Sequence, residues 1–414
     1  MRAKLKSPLF IIFITIFFDL LGFGILIPII PSLFANPNSP SYLLVKSASI
    51  ETGYLLMGLL LGIYFLGQFF MSPILGELSD RFGRKKVLIG SVIGSALSFL
   101  LFAVGIATRS IWLIFIGRTI NALTSSIVAV SQAAIADIST VADRTKNFGL
   151  IGAAFGAGFV FGPFLGGALS NSNLVSWFTP ATPFWFACAL ALVNAVSIIY
   201  FFKETNHHLI HRPLTFARSF KNIMRAFHMH EMRALFVTNF FYQAGFTFFI
   251  TFFSVFLISR YGFSQQAIGN YFAYVGIWIV ISQGVLIRRV PRSISGEQIL
   301  RVSIVSAGIC ILLQFLTGSW WELLLIAPFF AIAHGFSTAN IPSMISQKAS
   351  ASAQGEILGL NASIESLARV FPPLVSGVVA ASLSPSSPLI ISSLLIFIAW
   401  AIFVTTHQKT KTDF

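Results

Sequence analysis

The chain has 414 residues, of which 56% are hydrophobic and only 10% charged, with a mean hydropathy of +0.84 and a formal net charge of +14. That much apolar surface exceeds what a water-soluble core can bury, so a soluble enzyme or binding domain is excluded and an all-α integral membrane protein is expected. The positive charge does not indicate nucleic acid, because a nucleic-acid face needs a soluble basic surface with base-contacting groups, and none is present.

At ~20 apolar residues per crossing, the runs beginning near Leu9, Thr52, Val87, Ile111, Phe148, Pro183, Ala234, Ile268, Ile299, Trp321, Ile357 and Pro388 predict twelve transmembrane helices. Little chain is left for a soluble domain. The start, Met1 to Phe18, has the basic residues and apolar stretch of a signal peptide. The apolar pattern continues past Asp19 to Phe34 without a small-residue cleavage site, so it is read as an uncleaved first span. With the amino terminus inside, most Lys and Arg fall in cytoplasmic segments: Arg2, Lys4 and Lys6; Arg81 to Lys86; Arg144 and Lys146; Lys203 to Arg233; Arg288 to Arg292; Lys409 and Lys411. Only Lys46, Arg109 and Arg260 fall outside, which is the positive-inside bias with both termini cytoplasmic.

Asp19 lies about ten residues into the first span, roughly 15 Å along it. A carboxylate at that depth costs about 2.5 to 3.5 kcal/mol on insertion scales, so it faces a cavity or a partner and marks a coupling site, unless it merely pairs with Arg to hold helices together. Between the second and third spans runs a charged, glycine-punctuated loop, Gly76-Glu77-Leu78-Ser79-Asp80-Arg81-Phe82-Gly83-Arg84-Lys85. The fourth span carries Arg118 within Gly117-Arg118-Thr119-Ile120-Asn121-Ala122 and ends at Asp137. The fifth bears Gly152, Gly156, Gly158, Gly162, Pro163, Gly166 and Gly167. Glycines four apart let neighbouring helices approach closely.

The two halves correspond at an offset of about 210 residues, the mark of an internal duplication. Phe161 to Gly167 lines up with Phe371 to Gly377, and the charged loop has a faded copy in Gly284 to Arg292. The expected organisation is a six-helix bundle over residues 1–203, a basic cytoplasmic linker over 204–232, and a second six-helix bundle over 233–414. Parallel repeats of this kind place substrate between the halves, near the midplane. Phe216, Phe220, Met224 and Phe227 recur at near-helical spacing in the linker, which predicts an amphipathic helix on the inner membrane surface. His207, His208 and His211 lack an accompanying Cys or carboxylate cluster and are read as part of that solvated linker. Cys188 and Cys310 are small core residues, so neither a disulfide nor a metal motif is expected.

In the second half, Glu365 and Arg369 sit four apart in the eleventh span and can close on one helical face. They form either a neutralised pair or a second proton site or gate contact. The ninth span, read from Ile299, offers no carboxylate. Asn121, Asn239, Gln243, His334 and Asn340 are mid-depth polar candidates for substrate contact or for interhelical hydrogen bonds, with Phe23, Phe246 and Phe336 as aromatic walls. No nucleophile with its base and no phosphate-binding glycine loop is recognisable, so neither an enzyme nor an ATP-driven pump is expected.

The loop spells G-x-L-S-D-R-x-G-R-K and resembles the signature joining helices 2 and 3 of the major facilitator superfamily. Asp19-Leu20-Leu21-Gly22-Phe23-Gly24, with Pro28 and Pro31, resembles the first-helix motif of drug:proton antiporters, and Gly158 to Gly167 resembles their fifth-helix G-x-x-x-G-P-x-x-G-G motif. Over the whole chain the resemblance is nearest to bacterial twelve-span antiporters related to tetracycline exporters. The fourth helix of that family carries Arg followed by a Gln-Gly pair; Arg118 matches, while Asn121 and Ala122 stand in its companions' places. The absence of a carboxylate from the ninth span argues against tetracycline itself.

The resemblance implies two pseudo-symmetric bundles in the bacterial inner membrane, alternating access, and export of a small amphipathic drug or metabolite driven by protons. Asp19 would pair with Arg118, and protonated Asp19 and bound cationic or amphipathic substrate would be alternatives. In the loop, Asp80 would accept hydrogen bonds at the start of the eleventh span, Arg81 and Arg84 would reach acidic groups, Asp137 being the partner of Arg84, and Gly83 would permit the tight turn. The expected partners are lipid, protons and a small molecule, with no cofactor or metal and a monomeric chain. Uptake of a metabolite or a metal chelate such as a siderophore by proton symport is the alternative. A transporter-like sensor is a further alternative, and would be expected to carry an extra soluble domain.

Overall fold

The computed structural model of the chain describes residues 8–45, 47–139, 143–206, 218–291, 293–348 and 354–412, without the side chains of 144–146, 218–219, 230–231, 354–356 and 407–412. Arg2, Lys4, Lys6, Lys46, His207, His208, His211, Phe216 and Arg292, and the side chains of Arg144, Lys146, Lys409 and Lys411, lie outside the described residues. In chain order the helices are α1 (Pro8–Phe34), α2 (Ile50–Phe82), α3 (Arg84–Ala107), α4 (Ile111–Thr124), α5 (Ile127–Ile138), α6 (Arg144–Ala168), α7 (Thr182–Phe201), α8 (Arg218–His228), α9 (His230–Tyr261), α10 (Gln265–Ile281), α11 (Ile287–Arg289), α12 (Gly296–Leu316), α13 (Trp320–Gln347), α14 (Gln354–Ser382) and α15 (Ser387–Thr412). Twelve helices among the described residues are long and apolar enough to cross a membrane.

Two spans are not simple rods. The fourth is α4 and α5 in line, broken at Ser125 and Ser126, where Ser125 Oγ donates to the Ala122 carbonyl at 3.0 Å and Ser126 Oγ meets Ser91 Oγ at 3.0 Å. Paired serines offer the backbone side-chain alternatives to the helical ladder, and the span bends there. The eighth is α10 continued through a π-turn, Ser282–Leu286, into α11. The faded copy of the charged loop therefore begins inside that turn. The ninth span starts earlier than its hydropathy indicates: α12 takes in Glu297 in its first turn, paired to Arg301 at 3.1 Å, so the expectation of a span without a carboxylate is corrected.

The helices form two compact units. One comprises α1, α2 from Ile63 onward, α3 to α7, and Ser264–Ala273 at the head of α10; the other comprises α2 up to Gly62, α8, α9, α10 from Tyr274, and α11 to α15. In the first unit α1 lies along α6 at backbone contact: a methyl group on Gly162 would come 2.8 Å from Gly24 Cα, and one on Gly166 would come 2.8 Å from the Ile25 carbonyl oxygen. In the second, α9 and α12 both flank α15, whose Ser392 and Ser393 donate to the Gly245 and Gly308 carbonyls at 2.7 and 3.0 Å. With no hydrophobic drive between helices in lipid, close small-residue contacts and such hydrogen bonds hold spans together.

Each unit repeats one crossing. In the first, Gly269 of α10 faces the Pro163 carbonyl and the Cα of Gly167 on α6; in the second, Gly58 of α2 faces the Pro373 carbonyl and the Cα of Gly377 on α14. A methyl group would fall 3.3 Å from Gly167 Cα at the first, and 2.6 Å from the Pro373 oxygen and 3.1 Å from Gly377 Cα at the second. The duplicated Pro-x-x-x-Gly segment thus meets a glycine of a neighbouring helix twice. The linker helix α8 packs on α14 and α9 of its own unit, with Ile223 and Ala226 buried, and leaves Phe220, Met224 and Phe227 exposed beside Lys221 and Arg225, an amphipathic surface.

Because backbone rather than a flexible side chain stands opposite, Gly58→Ala and Gly269→Ala are each expected to destabilise by about 1 to 3 kcal/mol. Gly152→Ala, where a methyl group meets open space, serves as the control. Melting temperatures of the purified variants check this, and equal values for all three would contradict the crossing.

Candidate functional site

Asp19 stands near the middle of α1 in a narrow cleft within the first unit. Thr15 and Phe18 flank it, Ser95 and Phe99 come from α3, Ile127 from α5 and Asn194 from α7. Thr15 Oγ1, one turn before Asp19, lies 3.0 Å from Asn194 Oδ1 and 2.8 Å from the Ile11 carbonyl. Among the described residues no lysine, arginine or histidine lines the cleft, and Asp19 makes no hydrogen bond or ion pair. The expected Asp19–Arg118 pair is not formed. Arg118 is buried, and its guanidinium carbon sits 4.3 Å over the ring of Tyr64. An aromatic face is a competent partner for a desolvated guanidinium, so a carboxylate is not required. Phe23, one turn beyond Asp19, packs on Tyr64 and Phe65 in the cluster that includes Ala122. Asn121 joins the Asp19 cleft through a neighbour, donating to Ser95 Oγ at 3.4 Å.

A second constellation gathers around the charged loop. Gly83 joins α2 to α3 with φ +97, a backbone conformation that a side chain strains. Arg84 follows, buried, with Nη1 2.6 Å from Asp80 Oδ1 and 2.5 Å from Ser79 Oγ and Nε 3.0 Å from Asp137 Oδ2. Glu204, just past α7, accepts the backbone N–H groups of Arg84 at 2.8 Å and Lys85 at 3.1 Å, so its carboxylate caps the start of α3. That is where exposed N–H groups and the helix dipole favour negative charge. Glu204 also lies in the space that a side chain at position 83 would need. Asn206 Nδ2 donates to the Asp80 carbonyl at 3.2 Å, and Lys85 Nζ to the Ile199 carbonyl at 2.7 Å, so the end of α7 is tied to the loop.

Other loop residues depart from expectation. Arg81 makes no ion pair among the described residues; its guanidinium lies 5.3 Å from the Phe82 ring and its Nε is buried without a hydrogen-bond partner. Gly76 has open space beside it and accepts the Ser79 hydroxyl at its carbonyl at 2.7 Å. Asp80 engages Arg84; residues 349–353, which precede α14, and the side chains of 354–356 at its start lie outside the described residues.

The α6 motif faces two ways. Gly158, Gly162 and Gly166, with the Pro163 ring, press on α1 at Leu20, Gly24 and Ile25, whereas the Pro163 carbonyl and Gly167 meet Gly269 and Gln265 at the head of α10. Gln265 Nε2 also donates to Ser32 Oγ of α1.

In the second unit, Asn239 Nδ2 donates to Asn361 Oδ1 at 2.7 Å and to Glu365 Oε1 at 3.1 Å, and Asn361 Nδ2 donates to the same carboxylate oxygen at 2.9 Å. Arg369 Nη2 is 3.7 Å from Glu365 Oε2. His334 Nδ1 meets the Tyr242 hydroxyl at 2.9 Å, and its ring stacks on Phe246 with centroids 3.9 Å apart. Gln243 is buried on α9 one turn after Asn239. Asn340 turns back on its own helix, donating to the Phe336 carbonyl at 2.9 Å.

Sequence reasoning missed Thr15, Ser95 and Asn194 around Asp19, Asn361 beside Glu365, Tyr242 beside His334, and Glu204. Thr15 and Asn361 each lie one turn from a carboxylate already singled out, a spacing that would have identified them. Ala substitution of Asp137 strips a partner from the buried Arg84, and of Glu204 removes a helix cap. The two are expected to depart from additivity by about 0.5 to 3 kcal/mol in a double-mutant cycle of thermal stability. Additive effects would show that the two carboxylates act separately.

Comparison with known proteins accords with this geometry. The Major Facilitator Superfamily model matches residues 12–371. The chain is 29% identical over 405 residues to the class C tetracycline resistance protein of Escherichia coli, covering 92% of each. It is 27% identical over 373 residues to the class H protein of Pasteurella multocida, covering 89% of this chain and 88% of the relative. With multidrug resistance protein 2 of Bacillus subtilis (strain 168) it shares 26% over 379 residues, covering 90% and 89%. Similar solved structures include the human organic anion transporter MFSD10 (TETRAN), with TM-score 0.71, 22% identity and coverage of 95% and 98%. The D-xylose-proton symporter has TM-score 0.74, 14% identity and coverage of 95% and 96%. These structures share the fold. A match that runs from the first span into the eleventh, on the fold of solved transporters, makes this chain a multi-pass membrane transporter of the major facilitator superfamily.

Proposed function

We propose that the chain exports a small amphipathic drug or metabolite in exchange for protons, by alternating access, with Asp19 as the proton-carrying group. The observation that carries this reading is the cleft: an intramembrane carboxylate beside Thr15, Ser95 and Asn194, with no protein cation among the described residues lining the space. In hydrocarbon, a carboxylate in such a place is tolerable when it is protonated, or when water or a cation reaches it. A cycle that alternately seals and hydrates the cleft would load and unload a proton. Substrate that favours one of those states is coupled to the proton by the same free energy with which the proton is coupled to it. Thr15 and Asn194 hold each other through their hydrogen bond and so keep polar groups ready around the carboxyl in either state.

Arg84, gripped by Asp80 and Asp137 with Glu204 behind the helix it starts, is a lock of charge-assisted bonds at the loop end of the first unit. Its release and re-formation would accompany the cycle. Export rather than uptake is favoured by the relatives, named as tetracycline and multidrug resistance proteins. The reading places the chain in the bacterial inner membrane as a monomer with both termini cytoplasmic, the proton serving as its coupling ion without a cofactor.

Proteoliposomes with an imposed pH gradient test this with ethidium, rhodamine 6G, tetracycline and the aromatic acid pyrenebutyrate as probes. Gradient-driven flux of at least one probe is expected for the wild type, its loss for Asp19→Asn, and partial retention for Asp19→Glu. Flux in Asp19→Asn equal to that of the wild type would make the residue structural.

A further inference from the structure

Resting on the transport reading above, we infer that the second unit carries an anion-binding subsite centred on Arg369, and that the amphipathic substrate bears a carboxylate or chemically similar acidic group. Arg369 lies near the middle of α14, deep in a membrane-spanning segment, where a charged side chain marks a ligand or ion path. Its guanidinium offers five N–H donors in a fixed fork. Among the described residues none of them makes a hydrogen bond, and its one ionic neighbour, Glu365, stands at 3.7 Å, beyond hydrogen-bonding reach. The side chain is 32% exposed, so this cation borders open space.

Glu365 is held elsewhere. Its Oε1 takes two amide donors, from Asn239 and Asn361, so only Oε2, at 3.7 Å, is left toward the guanidinium. The two asparagines are further locked by the bond from Asn239 Nδ2 to Asn361 Oδ1. Asn239 Oδ1, on a residue only 1% exposed, has no hydrogen-bond partner among the described residues. Glu365 therefore leaves room for a second anion at Arg369 while lowering the cost of keeping the guanidinium in the membrane.

Planar two-point recognition of a carboxylate is the chemistry for which guanidinium geometry is suited. In the same unit the His334 ring stacks with Phe246, Tyr242 and Phe330, and of these Phe246 alone is more than marginally exposed, so it is the ring that the apolar remainder of such a ligand would meet. An aromatic acid matches both features, and an aromatic ammonium would meet repulsion at Arg369.

The test uses pyrenebutyrate and pyrenebutylamine, which share a ring and a linker and differ in charge. Binding to the purified full-length chain is followed by probe fluorescence without any gradient. The acid is expected to bind at least about ten-fold more tightly than the amine, as one charge-assisted contact allows. Arg369→Gln should remove that preference, Arg369→Lys should retain part of it, and Glu365→Gln should strengthen binding of the acid. If Arg369→Gln fails to fold, the lysine and glutamine-365 arms decide: no change of affinity in either would overturn the subsite. Equal or tighter binding of the amine by the wild type would overturn it too. A chain that binds the acid through Arg369 yet moves no probe against protons supports the subsite and refutes proton-coupled export alone. One that exchanges protons for cationic dyes and ignores the acid refutes the subsite alone.

Discussion

Hydrocarbon tolerates no bare charge, and the way each intramembrane charge is accommodated organises this molecule. Arg118 is covered by the π face of Tyr64. Glu365 is held by two asparagine amides. Arg369 has a loose ion pair and a partly open flank. Asp19 has hydroxyl and amide neighbours but, among the described residues, no cation. Three of the four have a protein group close enough to offset charge or orient it, and Asp19 is the one that, among the described residues, has no hydrogen-bond or ionic partner. The cost of a mid-membrane charge, about 2.5 to 3.5 kcal/mol on insertion scales, is large enough to bias a two-state cycle.

Around these charges the framework is built from small residues. α1 and α6 touch backbone to backbone through Gly24 and Gly162, and the crossings at Gly58 and Gly269 repeat one contact in the two units. The duplication is therefore visible in particular atoms, a prolyl carbonyl and a glycine Cα facing a glycine of another helix. This framework runs from the Asp19 cleft to the loop end of the same unit. Asn121 reaches Ser95 in the Asp19 cleft, and α4 and α5 continue past the serine break to Asp137 and Arg84.

Much of the fold was legible in the sequence, because bilayer thickness turns apolar run length into helix count. Hydropathy alone, however, misses interruptions that leave the apolar pattern intact: the break at Ser125 and Ser126 and the π-turn at Ser282–Leu286 are set by local backbone bonding. It also set the start of α12 too late, passing over Glu297 because a first-turn ion pair makes a charge acceptable at a span's end. At the candidate site, contacts within a turn or along a recognisable motif could be named, as for Arg84 with Asp137. Those that join distant segments could not. Glu204 caps α3 from 120 positions away, and Asn194 reaches Thr15 across 179. Arg118 shows a different limit: a buried guanidinium is satisfied by a carboxylate or by an aromatic face, and a sequence containing both Asp19 and Tyr64 carries no distance with which to choose.

The central claim is that Asp19 changes protonation state while embedded in its cleft. Infrared difference spectroscopy of the purified protein, acid minus alkaline, compared between wild type and Asp19→Asn, tests it without a ligand or a gradient. The account predicts a protonated-carboxyl band in the wild type that is missing from the variant. Identical difference spectra would show that Asp19 does not titrate, and the coupling site would have to lie elsewhere.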